Sequence, residues 1–184
     1  MKALSLFLDR ISNWKVLLVV IAIYISFPAY FLKNAETRIN ILAGKTLGPI
    51  DLTMGFTPER TLQMVAEYGE EARAYYATVE TTIDVIYPIV YAFLLGIILT
   101  MVYRKKRYKP FPYVNILPFA ALIFDYLENI TIVTMLKSYP EKSMTVASLC
   151  EFFKLGKWLT FGITILLIIY GLLKMVPKMK KEKV

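Results

Sequence analysis

The residues of this chain that are best suited to chemistry lie in the middle of an otherwise apolar stretch, 116–136. Asp125, Glu128 and Asn129 stand there at positions i, i+3 and i+4, so a helix places their side chains on one face. A carboxylate near the centre of a bilayer costs roughly 2.5 to 3.5 kcal/mol on insertion scales. Two such groups on one helix therefore require partners or water, and together they can bind a cation, relay a proton or act as acid and base.

Further charged residues accompany the neighbouring apolar stretches. Asp84 precedes the second long apolar run, and Glu151, Lys154 and Lys157 lie in the first turns of the last one. Counting about 1.5 Å of helical rise per residue brings these groups to similar depths in the outer halves of their helices. We predict one polar cavity whose ligand- or ion-binding residues are Asp84, Asp125, Glu128, Asn129, Glu151, Lys154 and Lys157, and whose entrance is formed by Arg73, Glu80 and Tyr87.

The low dielectric of a membrane interior predicts that these charges pair with one another, because an unpaired buried ion is costly. We expect Lys154 or Lys157 to pair with Asp125 or Glu128, and Arg73 to pair with Glu80 or Asp84.

A purely structural interpretation stays open for the same residues. Buried ion pairs and an asparagine such as Asn129 can serve only to fix the register of packed helices. Glu151 and Lys154 stand at i and i+3, so they can satisfy each other on one helix. Tyrosines in such a chain are often interface anchors or packing groups rather than catalytic residues.

Composition removes several kinds of chemistry. The sequence contains no histidine and one cysteine, Cys150. His-based zinc and haem sites, Ser-His-Asp triads, four-cysteine metal sites and an intrachain disulfide are therefore unavailable, and we predict neither a cofactor nor a bound metal.

The formal net charge of +8 comes from basic residues that flank apolar runs. That arrangement is typical of membrane topology, so we expect no nucleic-acid partner.

The elements that position these residues follow from hydropathy. Hydrophobic residues make up 57% of the chain, above the 45–50% or so of ordinary soluble domains. We predict an all-α membrane protein, a four-helix transmembrane bundle forming a single membrane domain over 1–184. Its expected segments are an interfacial helix at 1–15, spans at 16–32, 81–103, 112–136 and 145–176, an extracytoplasmic helical loop at 33–80, and a basic tail at 177–184.

Local signals support several of these elements. Residues 2–14 alternate apolar and polar groups at helical spacing, which is typical of a helix lying in the headgroup region. Thr57 followed by Pro58 and Glu59 is a helix start, and Gly69 ends that helix before a second one begins. Pro88 predicts a kink or a loosened turn in the second span.

The distribution of charge predicts the orientation. Basic residues cluster near the amino terminus, in the block 104–109 and in the tail, whereas the segment 33–80 has more acids than bases. By the positive-inside rule both termini are cytoplasmic and 33–80 lies outside. We expect an integral protein of a prokaryotic cytoplasmic (inner) membrane.

Three functions are compatible with these features. The first is binding or transport of a small polar or cationic ligand, or of a proton, through an outward-facing cavity. Four spans are few for a complete carrier, so this function implies a homo-oligomer or partner membrane subunits. The second is an intramembrane enzyme acting on a lipid or isoprenoid headgroup, although the aspartate-rich signatures of such enzymes are absent. The third is a non-catalytic subunit or scaffold. Membrane lipids are expected partners in every case.

Overall fold

The computed structural model describes residues 1–53, 55, 57–104 and 112–174. In these ranges all regular structure is helical, which confirms the predicted all-α class. Four helical stretches are long and apolar enough to span a membrane: Trp14–Ala43, Gly69–Tyr103, Val114–Ser138 and Met144–Leu173. The predicted basic tail and all but Arg104 of the predicted basic block lie outside the described residues. The α-helices are α1 (Lys2–Ile11), α2 (Trp14–Ser26), α3 (Leu32–Ala43), α4 (Pro58–Glu67), α5 (Gly69–Thr81), α6 (Ile83–Tyr103), α7 (Pro118–Ser138) and α8 (Met144–Leu173).

The first long helix joins α2 to α3 without a loop. Asn13 begins it by accepting hydrogen bonds from the backbone N–H groups of Lys15 and Val16, at 3.0 and 3.1 Å. Pro28 lacks an N–H group, and the helix accommodates it with a π-helical turn at Phe27–Phe31. The chain therefore stays helical from Trp14 to Ala43, where Gly44 ends it with φ +67°.

The α4 helix starts where the sequence predicted. The Thr57 hydroxyl accepts a hydrogen bond from the Arg60 backbone N–H at 3.4 Å, and Pro58 occupies the first helical position. Gly69 has φ +78°, a left-handed conformation that separates α4 from α5. A second break at Thr82, with φ −127° and ψ −79°, separates α5 from α6 within one long apolar stretch.

Packing of α5, α6, α7 and α8 creates two apolar clusters. The first lies where α4 and α5 meet the end of α7 and the start of α8, and it includes Tyr68, Tyr76 and Met135. The second lies where α6 meets the start of α7 and the end of α8, and it includes Leu99 and Ile168. Between these clusters stands a polar layer of buried side chains, which we define as Glu80, Asp84, Asp125, Glu128, Asn129 and Lys157.

The α1 helix packs against the end of α6 that is farthest from the first cluster. Ser5 Oγ donates to Asn115 Oδ1 at 2.8 Å, and Asn115 Nδ2 donates to Thr100 Oγ1 at 3.0 Å. The Arg104 guanidinium donates to the backbone carbonyl of Asp9. The amino-terminal helix and the start of the basic block therefore lie at the same end of the bundle.

Candidate functional site

A proline in α6 explains the contact between Asp84 and Asn129. Because Pro88 has no N–H group, the carbonyl oxygen of Asp84 loses its usual helical donor. Asn129 Nδ2 supplies the missing donor at 3.2 Å and also donates to Asp84 Oδ2 at 2.8 Å. The Tyr126 hydroxyl likewise donates to the Val85 carbonyl at 2.7 Å. These hydrogen bonds thus join α6 to α7 beside Pro88 and hold one oxygen of the Asp84 carboxyl in place.

Lys157 connects α8 to two carboxyl groups of α7. Its Nζ lies 2.5 Å from Glu128 Oε2 and 3.9 Å from Asp125 Oδ1, which confirms that one of the two lysines pairs with these acids. Tyr91 of α6 donates its hydroxyl to Asp125 Oδ2 at 2.9 Å. The predicted meeting of charges from separate long helices therefore occurs in the polar layer.

The polar layer contains more acids than bases. Its four carboxyl groups are buried, with exposed fractions of 3% for Glu80, 7% for Asp84, 4% for Asp125 and 0% for Glu128, beside a single lysine, Lys157. Within the described part of the chain, Glu80 Oε2, Asp125 Oδ1 and Glu128 Oε1 have no hydrogen-bond partner. Because a lone buried carboxylate is costly, these groups must hold protons or face a further cation.

A cavity of about 550 Å³ lies beside this layer, between the first long helix, α5, α6 and α8. Five of the predicted site residues line it, namely Glu80, Asp84, Tyr87, Asp125 and Lys157. Glu80, which the sequence assigned to the entrance, is almost fully buried there. Glu128 and Asn129 are outside the lining and contact lining residues, Lys157 and Asp84 respectively.

Glu151 and Lys154 form a separate ion pair. Lys154 Nζ lies 2.8 Å from Glu151 Oε1, and the Thr61 hydroxyl donates to the same oxygen at 2.6 Å. Lys154 also donates to Thr53 Oγ1 at 3.5 Å. Neither member lines the cavity, and the pair joins α4 to α8. This geometry agrees with the structural interpretation, in which the two residues satisfy each other.

Arg73 lies away from the polar layer. Its Nη1 donates to the Val65 carbonyl at 3.2 Å, and its guanidinium stands 3.8 Å from the centroid of the Tyr139 ring. The predicted pairing with Glu80 or Asp84 is therefore wrong. A guanidinium that has a carbonyl partner and an aromatic face does not require a carboxylate partner.

Aromatic side chains form one wall of the cavity, and among them only Tyr87 was a predicted site residue. Successive ring centroids lie 5.7 Å apart for Tyr24 and Tyr87, 5.6 Å for Tyr87 and Tyr91, 5.8 Å for Tyr91 and Phe161, and 6.2 Å for Phe161 and Trp158. We call these five residues the aromatic wall. The spacing of Tyr87 and Tyr91 after Asp84 was a usable signal, whereas nothing in the sequence connects Tyr24 with them.

Asp51 is a second lining residue that sequence reasoning missed. It follows Pro49 and Ile50 in the connection between α3 and α4. The Tyr76 hydroxyl donates to Asp51 Oδ1 at 3.1 Å and accepts from the Ile50 backbone N–H at 2.8 Å. One buried tyrosine thus fixes the connection against α5 and brings another carboxyl group to the cavity. The short loop has no periodicity that could have revealed this contact. Two charged residues of α3 that sequence reasoning also missed, Lys33 and Glu36, line the cavity as well.

Contacts outside the long apolar stretches also stabilise the connection between α3 and α4. Glu67 at the end of α4 lies 3.2 Å from Lys45 Nζ and 3.0 Å from Arg60 Nη1. The hydrogen bonds from Lys45 and then Arg60 hold the pKa of the Glu67 carboxyl below its usual value. The Tyr68 hydroxyl donates to the Gly48 carbonyl at 2.6 Å, and burial raises the pKa of this tyrosine.

The arrangement can therefore attract positive charge into a walled cavity. Across 1–53, 55, 57–104 and 112–174, no three Asp, Glu, Cys or His side chains are grouped so that they could hold a metal ion. No family model, curated protein or solved structure matches this chain.

Proposed function

We propose that this chain is an integral membrane protein that binds or transports a small cationic ligand, or a proton in its place, through the cavity beside the polar layer. The observation that carries the proposal is the excess of buried carboxyl groups over lysine in that layer. Glu80 is the clearest case, because it lines the cavity, is 3% exposed and has an oxygen without a partner in the described chain. A cation that enters the cavity would neutralise charge that the described residues leave uncompensated.

The proposed topology places the cavity on the outer side. The helical stretches Trp14–Ala43 and Gly69–Tyr103 have 30 and 35 residues. At about 1.5 Å per residue they exceed the hydrocarbon thickness of about 30 Å, so α3 and α5 extend beyond it. Their projecting parts and the connection 49–52 line the cavity. With α1 as an interfacial helix beside Arg104, the positive-inside rule makes that end and both termini cytoplasmic.

The remaining features of the proposal concern assembly and location. The chain forms a single membrane domain in a prokaryotic cytoplasmic membrane, with 33–80 as its extracytoplasmic part. No residue of α2 is buried. That helix can therefore contact lipid, and it can also pack against a second copy of the chain or a partner subunit, one of which a transport function with four spans implies.

The two alternative functions fit the cavity less well. An enzyme that acts on a phosphorylated lipid headgroup needs a cation to hold the phosphate. Of the two lysines that line the cavity, Lys157 is already engaged by Glu128 and Asp125. An anionic headgroup at the other, Lys33, would meet four further carboxyl groups, those of Glu36, Asp51, Glu80 and Asp84. A scaffold would present its charges to a partner, whereas these face an internal cavity.

The proposal is tested by cation binding to the purified protein in an uncharged detergent. Chloride salts of sodium, potassium, magnesium, ammonium and tetraethylammonium are titrated at constant ionic strength, with calorimetry and the unfolding temperature as readouts. At least one cation should bind saturably. The Glu80→Gln variant should weaken that binding roughly ten- to hundred-fold, because a charged hydrogen bond contributes about 1.5 to 3 kcal/mol.

Glu71→Gln is the matched control. Glu71 lies on α5 like Glu80 but is exposed, so its neutralisation changes the net charge equally without touching the cavity. Its cation affinity should remain within two-fold of that of the unmodified protein. Absence of saturable binding by every cation, or equal affinities in Glu80→Gln and Glu71→Gln, would refute the proposal.

A further inference from the structure

The aromatic wall and the carboxyl groups occupy the same cavity. Asp84, Tyr87 and Tyr91 follow one another on α6 at steps of three and four, so they share a helical face. The Tyr91 hydroxyl is hydrogen bonded to Asp125 Oδ2, which brings the second carboxyl group to the edge of the wall. A positive charge placed at Asp84 and Asp125 would therefore stand next to aromatic rings.

Aromatic faces attract a particular kind of cation. An ammonium group over a tyrosine or tryptophan ring gains electrostatic attraction, and this attraction is strongest where water is excluded. The protein already contains one such contact in this cavity, because Lys157 Nζ lies 5.8 Å from the centroid of the Trp158 ring. An ammonium ligand would repeat this contact farther along the wall.

The cavity is larger than a small inorganic cation requires. Its volume of about 550 Å³ falls in the range of about 300 to 1,000 Å³ that is typical of pockets for organic molecules. A hard metal ion prefers six to eight oxygen ligands at about 2.3 to 2.6 Å or an octahedral shell. Within the part of the chain described here, no group of three carboxyl side chains approaches such a geometry.

We propose that the cavity binds an organic ammonium ion whose nitrogen lies near Asp84 and Asp125 and whose alkyl groups contact the aromatic wall. This inference rests on the proposed function and narrows it to one chemical class. The carboxyl groups supply the charge that selects a cation. The aromatic wall supplies apolar and cation–π contacts that a hydrated sodium or potassium ion cannot use.

Selectivity among simple cations tests the inference on the unmodified protein. Tetraethylammonium, potassium and sodium chlorides are titrated by calorimetry in an uncharged detergent. Tetraethylammonium should bind at least ten-fold more tightly than either inorganic ion. Equal or tighter binding of potassium or sodium would overturn the inference, and this outcome does not depend on any variant folding correctly.

Substitution of the wall tests the same inference in a second way. Tyr87→Leu should weaken tetraethylammonium binding roughly ten-fold, because it removes the ring between those of Tyr24 and Tyr91. Tyr87→Phe keeps the ring and should stay within three-fold. Phe93→Leu is the matched control, since Phe93 is also half-buried on α6 and packs against two other rings, but it does not line the cavity. Unchanged tetraethylammonium affinity in Tyr87→Leu would overturn the inference.

The two proposals fail differently. If an inorganic cation binds more tightly than tetraethylammonium and Glu80→Gln abolishes that binding, the proposed function stands and the ammonium inference falls. If no cation binds saturably, both fall. If tetraethylammonium binds but Glu80→Gln and Tyr87→Leu each leave its affinity unchanged, the ligand occupies another surface and both proposals fall.

Discussion

Removal of Lys157 is the most informative perturbation of the polar layer. Among the described residues, its ammonium group is the one cation in ion-pair contact with the buried carboxyl groups of α7, at 2.5 Å from Glu128 Oε2 and 3.9 Å from Asp125 Oδ1. Lys157→Met keeps an unbranched side chain of similar length and removes the charge. Both carboxyl groups then lose their ionic partner, although Asp125 keeps the hydrogen bond from Tyr91.

The magnitude of this change follows from burial and distance. Breaking a buried ion pair by removing one partner costs about 3 to 5 kcal/mol, because the other partner stays buried and unpaired. Coulomb attraction scales inversely with distance, so the ratio 3.9/2.5 makes the attraction of Lys157 to Glu128 about 1.6 times its attraction to Asp125. Glu128→Leu should cost less than Lys157→Met, because Lys157 keeps Asp125. The double variant should recover about 2 kcal/mol or more of the loss, because it removes both members of the closer pair.

The assay is reversible unfolding in mixed micelles, followed by the fluorescence of Trp158 in a Trp14→Phe background. The sequence contains two tryptophans, so this background isolates the one that neighbours Lys157. Lys137→Met is the control, since Lys137 is exposed near the end of α7 and should change stability by less than about 0.5 kcal/mol. The reasoning is refuted if Lys157→Met costs less than about 1 kcal/mol, or if its cost is the same with and without Glu128.

Two further predictions concern the hydrogen bonds beside Pro88 in α6 and the contacts of Glu67 with Lys45 and Arg60. Asn129→Leu should lower stability by about 2 to 4 kcal/mol, because two buried oxygens of Asp84 lose a donor. In a Pro88→Ala background the loss should be smaller, since the new N–H group can serve the Asp84 carbonyl, and equal losses in the two backgrounds would contradict this account. For Glu67, the folded-state pKa lies below the unfolded value, so its stabilising contribution is present at neutral pH and disappears as the pH falls below about 4.3. Glu67→Gln should therefore lower the unfolding temperature more at pH 7 than near pH 3, whereas an equal decrease at both values would argue against the contacts with Lys45 and Arg60.

Hydropathy and helical rise were sufficient to predict the class of fold and part of the site. The four long apolar stretches correspond to the four candidate spans of the structure. The meeting of Lys157 with Glu128 and Asp125 was also predictable, because depth along antiparallel helices can be counted from either end. Depth is the quantity that a linear sequence encodes well, since each residue advances a helix by a constant amount.

The rotation of each helix about its axis, which determines the direction of its side chains, is encoded less well. This explains why some predicted contacts differ from those of the structure. Glu151 and Lys154 were assigned to the cavity by depth, but they face α4 and the Thr61 hydroxyl. Arg73 was assigned to carboxyl partners by spacing, but its guanidinium donates to the Val65 carbonyl and lies over the ring of Tyr139. In both cases the decisive partner belongs to an element whose position relative to the bundle depends on tertiary packing. The same limitation hid Asp51, which reaches the cavity from a loop.

The unsatisfied groups of the polar layer are the reason for proposing a functional role beside a structural one. Fixing the register of α6, α7 and α8 requires only the contacts from Asn129 to Asp84 and from Lys157 to Glu128, both of which are present. A register device does not need Glu80, and replacing a buried ion by an apolar residue often stabilises a protein. Among the described residues, the buried Glu80 oxygen Oε2 has no hydrogen-bond partner, and packing does not explain this cost. The position of Glu80 in the wall of a cavity, beside Asp84, is what a binding site for positive charge requires.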